Sequence, residues 1–190
     1  MVVIGKDSVV RADSVSLKLA LSPLAQLSDI DGSVMQHGLF VVRKDDKAAT
    51  LLDIEGYKVL WGPDYCDEKA AAPKAKLKEL EIESIDGGSC ESCSVAAKQL
   101  LQEPENAKVV AVISSYAEPL LAGCGAVKKG ALRVVGKSED VPFISVFVNR
   151  ELPSSESDAI TRALLNMKSP EMLTALETKK GFLAYRSSEK

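Results

Sequence analysis

The segment HGLFVVRKDDKAATLLDIEGYKVLWGPDYCDEKAAAP, from His37 to Pro73, constrains the fold of this chain more than any other. Leu39, Phe40, Val41 and Val42 form a short apolar run rich in β-formers, which predicts a buried strand. Charged residues from Arg43 to Lys47 follow at once, then a short amphipathic turn, Leu51 to Glu55, stopped by Gly56. Tyr57 to Trp61 reads as a second strand, broken by Gly62-Pro63-Asp64, and a helix follows from about Asp67 to Leu80. Pro73 is tolerated there only in the first turn, so the helix proper is expected to start near Ala71 or Ala72.

The alternation continues downstream. Ile82 to Ile85 is expected as a strand, Gly87-Gly88-Ser89 as a flexible turn, and Cys90 to Gln102 as a helix. Val109 to Ile113 is continuously apolar, as a strand buried on both faces of a parallel sheet would be. Ser114-Ser115-Tyr116 then opens a helix through Leu121, and two more strands are expected at Leu132–Val135 and Phe143–Val148. Three successive βα alternations argue for a parallel α/β lobe. At the start of the chain, Val2 to Gly5 looks like the end of a strand that runs into a helix capped by Asp7 or Ser8. An apolar segment, Leu17 to Leu27, is bent by Pro23, and Pro153 to Asp158 opens a late helix with its apolar stripe at Ile160, Ala163, Leu164 and Met167. A last helix is expected from Pro170 to Leu176.

With 190 residues, 46% of them hydrophobic and 27% charged, the chain can bury a core of ordinary proportions. A net charge of −3 offers no broad basic field, which disfavours nucleic acid as a partner. No apolar run reaches the length of a membrane helix, and Met1 to Ile4 is too short for the apolar centre of a signal peptide.

In open α/β sheets ligands bind beyond the carboxyl ends of the strands. Those ends carry Lys6 and Ser8, Tyr65 and Lys69, Ser89, and Ser114, Ser115 and Tyr116, and these eight residues are the candidate ligand contacts. Several lead into helix N-termini, whose free N–H groups suit an anion. Each alone reads more readily as a helix cap than as a ligand contact; their convergence on one edge is the informative part. Cys66, Cys90, Cys93 and Cys124 fall in the same connections, so at least two sulfurs are expected close together beside Ser89 and Tyr116. They could form a disulfide, a metal site, a reactive CxxC at Cys90–Cys93 or reduced core positions. A cysteine-based redox or metal-binding protein is therefore the alternative function. The sole histidine, His37, reads as structural and Trp61 as core or cleft wall. No nucleophile–base pair is visible, so no enzymatic activity is expected, and no cofactor.

The FVVR strand, the acidic linker, the LLDIEGYKV turn and strand, and the helix with its early proline together resemble type II periplasmic substrate-binding proteins. The resemblance runs from about Ile4 to Phe182 and is greatest to the phosphate/phosphonate-type binding components of ABC transporters. It implies an α/β fold of the periplasmic-binding-protein type II, with a parallel-sheet lobe and a partial second α/β lobe. Residues 1–44 and 138–190 would form the partial lobe and 45–137 the other. A small solute, a phosphonate or other oxyanion, would bind in a cleft between lobes that close about Arg43–Lys47 and Lys137–Pro142. A membrane permease would be the partner and the periplasm the location, where a cysteine pair would be oxidised. The family pattern further implies that the first half of lobe one is missing here, leaving the strands at Val2–Gly5 and Phe143–Val148 flanking an exposed sheet edge; the plainer reading is an edge strand in a compact fold. Gly88-Ser89-Cys90-Glu91 matches the family's Gly-Ser-His-acid stretch with cysteine in the histidine's place. The preceding helix departs from the family: it opens Tyr65-Cys66-Asp67-Glu68-Lys69 instead of with Ser, Thr and Gly. Two carboxylates there would repel a phosphonate, which leaves a cationic, neutral or metal-linked ligand open.

Overall fold

The computed structural model describes residues 1–176 and 178–185. In chain order the elements are β1 (Val2–Lys6), α1 (Asp7–Ser16), β2 (Leu21–Leu27), β3 (Met35–Gln36), β4 (Gly38–Arg43), β5 (Lys58–Trp61) and α2 (Ala71–Glu79). There follow β6 (Ile85–Ser89), α3 (Cys93–Gln102), β7 (Val109–Ser114), α4 (Glu118–Gly123), β8 (Leu132–Lys137) and β9 (Val141–Pro142). The chain closes with β10 (Ile144–Asn149), α5 (Ser154–Leu165), α6 (Pro170–Ala175) and β11 (Phe182–Ala184). Two 3-10 turns, Leu51–Ile54 and Asp67–Lys69, lie before β5 and α2.

The chain divides into two compact units, one made of Met1–Met35 with the chain from Pro142 onward, the other of Gln36–Val141. The boundaries expected at 44/45 and 137/138 thus fall instead at 35/36 and 141/142. The reason is β4: it pairs with β7 on one side and β8 on the other, deep inside the second unit. Arg43 to Lys47 accordingly follows an interior strand and is no crossing point.

In the second unit the strand order is β6-β5-β7-β4-β8. β5 runs parallel to β6 and β7, whereas β4 runs antiparallel to β7 and β8, so the sheet is mixed. An antiparallel strand buried on both faces shows the same continuous apolar run as a parallel one, which is why the sequence pattern did not separate them. Side chains alternate between two apolar layers with the strand period of two. Phe40, Val42, Val59, Trp61, Val110 and Val112 enter one layer, closed by Leu51, Ile54 and Tyr57 of the linker and Leu77 of α2. Val41, Leu60, Val109, Ala111 and Ile113 enter the other, closed by Ala96, Ala97 and Leu100 of α3 and Leu121 of α4. Pro73 sits in the first turn of α2, as expected.

The first unit holds an antiparallel sheet of order β1-β10-β2-β11. β10 lies inside it, between β1 and β2, so only β1 of the two strands expected at the edge is a terminal strand. Along β2 the register against β10 slips between Ala25 and Pro23, leaving Leu24 as the extra residue of a bulge. That bulge accommodates Pro23, which has no N–H to give the ladder. Ala25, Leu27, Val146, Leu164 and Phe182 form its core. Asp7 is not a cap. It is the first residue of α1, only 3% exposed, accepting a hydrogen bond from Ser145 Oγ at 2.6 Å and pairing with Arg11.

Candidate functional site

Parallel pairing of β5 with β6 and β7 brings the carboxyl ends of all three to one edge of the second unit's sheet. β4 begins at the same edge, with Gly38 opposite Ser114. Four connections therefore meet there: Gln36-His37 before β4, Gly62 to Ala70 after β5, Cys90 to Ser92 after β6, and Ser115 to Ala117 after β7.

Ser114 is buried, and its hydroxyl donates to Gln36 Oε1 at 2.6 Å. Ser115 and His37 hold each other through the backbone. The Ser115 N–H donates to the His37 carbonyl at 2.9 Å, and the His37 N–H donates to Ser115 Oγ at 3.2 Å. The Ser115 hydroxyl proton is thereby left to donate elsewhere. The His37 ring meets Asp140 Oδ1 at 2.8 Å, consistent with a structural histidine. Ser89 is exposed at the end of the edge strand β6, Tyr65 is 64% exposed, and Tyr116 is half-buried. Lys6 and Ser8 belong to the first unit, at the end of β1 and in the first turn of α1.

The turn Asp67–Lys69 lies on this edge because two glycines make room for it. A Cβ on Gly38 would collide with the Glu68 carbonyl oxygen and lie 2.6 Å from Pro73 Cγ. A Cβ on Gly62 would collide with Lys69 Cβ, with Lys69 Cε at 3.1 Å and Cδ at 3.2 Å. The Gly62 N–H also donates to the Lys69 carbonyl at 2.9 Å, fixing the turn to the end of β5. Lys69 is 6% exposed, and no carboxylate among the described residues lies within ion-pair range of it. Asp64, nearby in sequence, is engaged by Lys74 at 3.0 Å. Gln36, Gly38 and Gly62 shape this edge; the sequence marked Gly62 only as a strand breaker and Gln36 and Gly38 not at all, although a glycine just before an apolar strand is a signal that points at Gly38.

All four cysteines are free, so the expected disulfide is absent. Cys90 and Cys93 pack in the same apolar layer, whereas Cys66 precedes the Asp67–Lys69 turn and Cys124 ends α4 exposed. Among the described residues no three His, Cys, Asp or Glu side chains gather to hold a metal. Cys90 lies outside the helix: α3 begins at Cys93, capped by Ser92 Oγ, which accepts from the Val95 N–H at 3.2 Å. Burial pushes the Cys90 thiol above the ordinary range, the Lys69 charge only partly opposing it, and the thiol donates to Gln99 Oε1 at 3.5 Å. A reactive CxxC, one of the alternatives the sequence left open, is therefore not formed, because the first thiol is buried and lies before the helix begins. Alkylation with iodoacetamide at pH 8 should label Cys124 within minutes and spare Cys66 and Cys90 until the protein is unfolded. Rapid labelling of Cys90 in the folded protein would contradict this assignment.

A family profile described as "ABC transporter, phosphonate, periplasmic substrate-binding protein" matches residues 9–189. No curated protein matches the chain in sequence. Among solved structures the fold is similar to XAC2383 from Xanthomonas citri bound to ATP, at 16% identity and TM-score 0.74, over 95% of this chain and 70% of that one. It is also similar to PhnD1 from Prochlorococcus marinus (MIT 9301) in complex with methylphosphonate, at 13% identity and TM-score 0.68, over 98% and 73%. A third is a binding protein component of an ABC phosphonate transporter from Pseudomonas aeruginosa, at 15% identity and TM-score 0.68, over 96% and 63%. At such identities the structural likeness speaks for the fold alone.

Proposed function

This chain belongs to the family of phosphonate-type periplasmic substrate-binding proteins of ABC transporters, and from that premise we propose that it takes a small oxyanion at the carboxyl edge of the second unit's sheet. The observation that carries this reading is the meeting, at one edge, of the Ser115 hydroxyl, Ser89, Tyr65, Tyr116, the start of α3 and the enclosed Lys69. The hydroxyls can donate to an oxyanion, and Lys69 and the N–H groups at the start of α3 can only donate. Ser114 acts from behind, as the anchor that fixes Gln36 and the entry to β4.

In this role the protein makes and breaks no bond. It works outside the cytoplasmic membrane and delivers its solute to the membrane permease of an ABC uptake system. Methylphosphonate, the ligand of the Prochlorococcus protein, is the first solute to test. A thermal-shift series with methylphosphonate, 2-aminoethylphosphonate, inorganic phosphate, sulfate, a neutral sugar and an organic amine tests the reading. A solute held at about 100 times its Kd should raise the unfolding midpoint by roughly 5–10 °C. No shift with any oxyanion at millimolar concentration would refute oxyanion binding.

A further inference from the structure

In the two larger sheets, among the described residues, every edge strand but one carries something that discourages a further strand. β11 is three residues long. β8 carries Arg133 and Lys137 and pairs with β4 through a slipped register, and β6 holds Asp86 and two glycines. β1 is the exception: five residues, Val2-Val3-Ile4-Gly5-Lys6, with no proline, no bulge and a single charge at the end. The Met1 carbonyl accepts from the Asn149 N–H at 3.2 Å, and the Asp7 N–H donates to the Phe143 carbonyl at 2.9 Å. The register between them is unbroken. Alternation of the antiparallel ladder therefore turns Met1, Val3, Gly5 and Asp7 toward β10, and the N–H and C=O groups of Val2 and Ile4 outward. No strand among the described residues borders that side. The same two residues are 46% and 56% exposed, and Ile4 walls an apolar groove of about 280 Å3 with Leu164, Met167, Met172, Leu176 and Phe182. Outward ladder groups beside exposed β-branched side chains make this edge the place where a strand can be added.

We propose that the occupant is a second copy of this chain, its β1 laid antiparallel against the first across a twofold axis at Val3. The strand matches itself in that register. Val2 faces Ile4 of the copy and Ile4 faces Val2, so the outward N–H of each meets the outward C=O of the other. The β-branched side chains of both pairs then lie side by side on the groove face, where such cross-strand neighbours are favourable. The two Lys6 ammonium groups fall at opposite ends of the paired strands, so no like charges meet. Two four-stranded sheets become one continuous antiparallel sheet. A second copy brings the same uncovered edge, so one contact covers both, which a foreign strand would not do. The exposed side chains of Met1, Val2, Ile4, Met172 and Leu176 offer roughly 400 Å2 per copy, about half of what each partner buries in a standard stable interface, so the pair exchanges with monomer.

Sedimentation equilibrium of the whole chain from about 1 to about 300 µM is the test. The mean mass should climb from that of one chain toward that of two. Ile4→Lys, at an exposed position, sets two new ammonium groups near each other across the axis and should weaken association by about 10-fold or more. Ile85→Lys, at an exposed position on the edge strand β6, is the control and should leave it unchanged. Val3→Cys in a Cys124→Ser background should give a disulfide-linked dimer on mild oxidation, since residues opposed at the axis bring their Cα atoms to about 4.5 Å. Ala184→Cys, on the opposite edge strand β11, should not. A chain that stays monomeric throughout the range would overturn the proposal, even if the groove takes up an apolar dye or a peptide. So would association that Ile4→Lys leaves intact, association that Ile85→Lys weakens equally, or cross-linking through Ala184→Cys in place of Val3→Cys.

Discussion

Replacing Phe40 with alanine should cost the second unit about 3–5 kcal/mol, the range for truncating a fully enclosed aromatic. Phe40 is 0% exposed in β4, the strand between β7 and β8, so its neighbours are backbone-tethered on both sides and can collapse little into the space left behind. It shares one apolar layer with Trp61, Val59, Val112 and Leu51, so a single truncation loosens β5, β7 and the linker turn together. Total stability of a domain is about 5–15 kcal/mol, so the variant stands at the margin of folding. The measurement is direct, because the chain has one tryptophan and it lies in that layer. Urea titration followed by Trp61 fluorescence reports the second unit by itself. A loss below about 1.5 kcal/mol would mean that the layer repacks and that β4 is not its centre.

β4 was also the most legible element in the sequence, and for the same reason. An apolar run flanked by charge, then a glycine-stopped turn and a second run, leaves few alternatives to two buried strands. Those strands carried the fold class and the family resemblance. What escaped the sequence was set by partners distant along the chain. β6 spans Ile85–Ser89, although Gly87-Gly88 reads as a turn. It is a strand because β5 pairs with it through an irregular register, and glycine fits there because the Val59 carbonyl oxygen and Lys58 Cγ lie 2.7 and 2.8 Å from where a Gly87 Cβ would be. β11, three residues long, follows Gly181 and exists through its pairing with β2. No local pattern of three residues announces that. At the candidate site, the polar residues were legible because strand ends are legible. Their ranking was not: Lys69 and Tyr65 look alike in sequence as polar loop residues, and only the notch at Gly62 makes one enclosed and leaves the other exposed.

That notch supplies the sharpest structural test, through its second glycine. Gly38→Ala should destabilise the second unit by about 1–3 kcal/mol and disturb the candidate site at once. The new methyl group would meet the Glu68 carbonyl oxygen and the Pro73 ring, with Val112 Cγ1 at 3.1 Å behind it. None of these is the far end of a flexible side chain. Glu68 belongs to a turn pinned by the Gly62–Lys69 hydrogen bond, and Pro73 is fixed in the first turn of α2. Relief therefore requires moving the Asp67–Lys69 turn as a body, which shifts Lys69 from its seat over Gly62. Gly123→Ala is the control: it ends α4, has no atom within 4 Å of the added methyl, and should be neutral or mildly stabilising. Denaturation midpoints and the thermal-shift response to methylphosphonate should both fall for Gly38→Ala and stay unchanged or rise for Gly123→Ala. Should the two variants behave alike, the turn would have room to spare, and its placement against the sheet edge would owe nothing to the glycines.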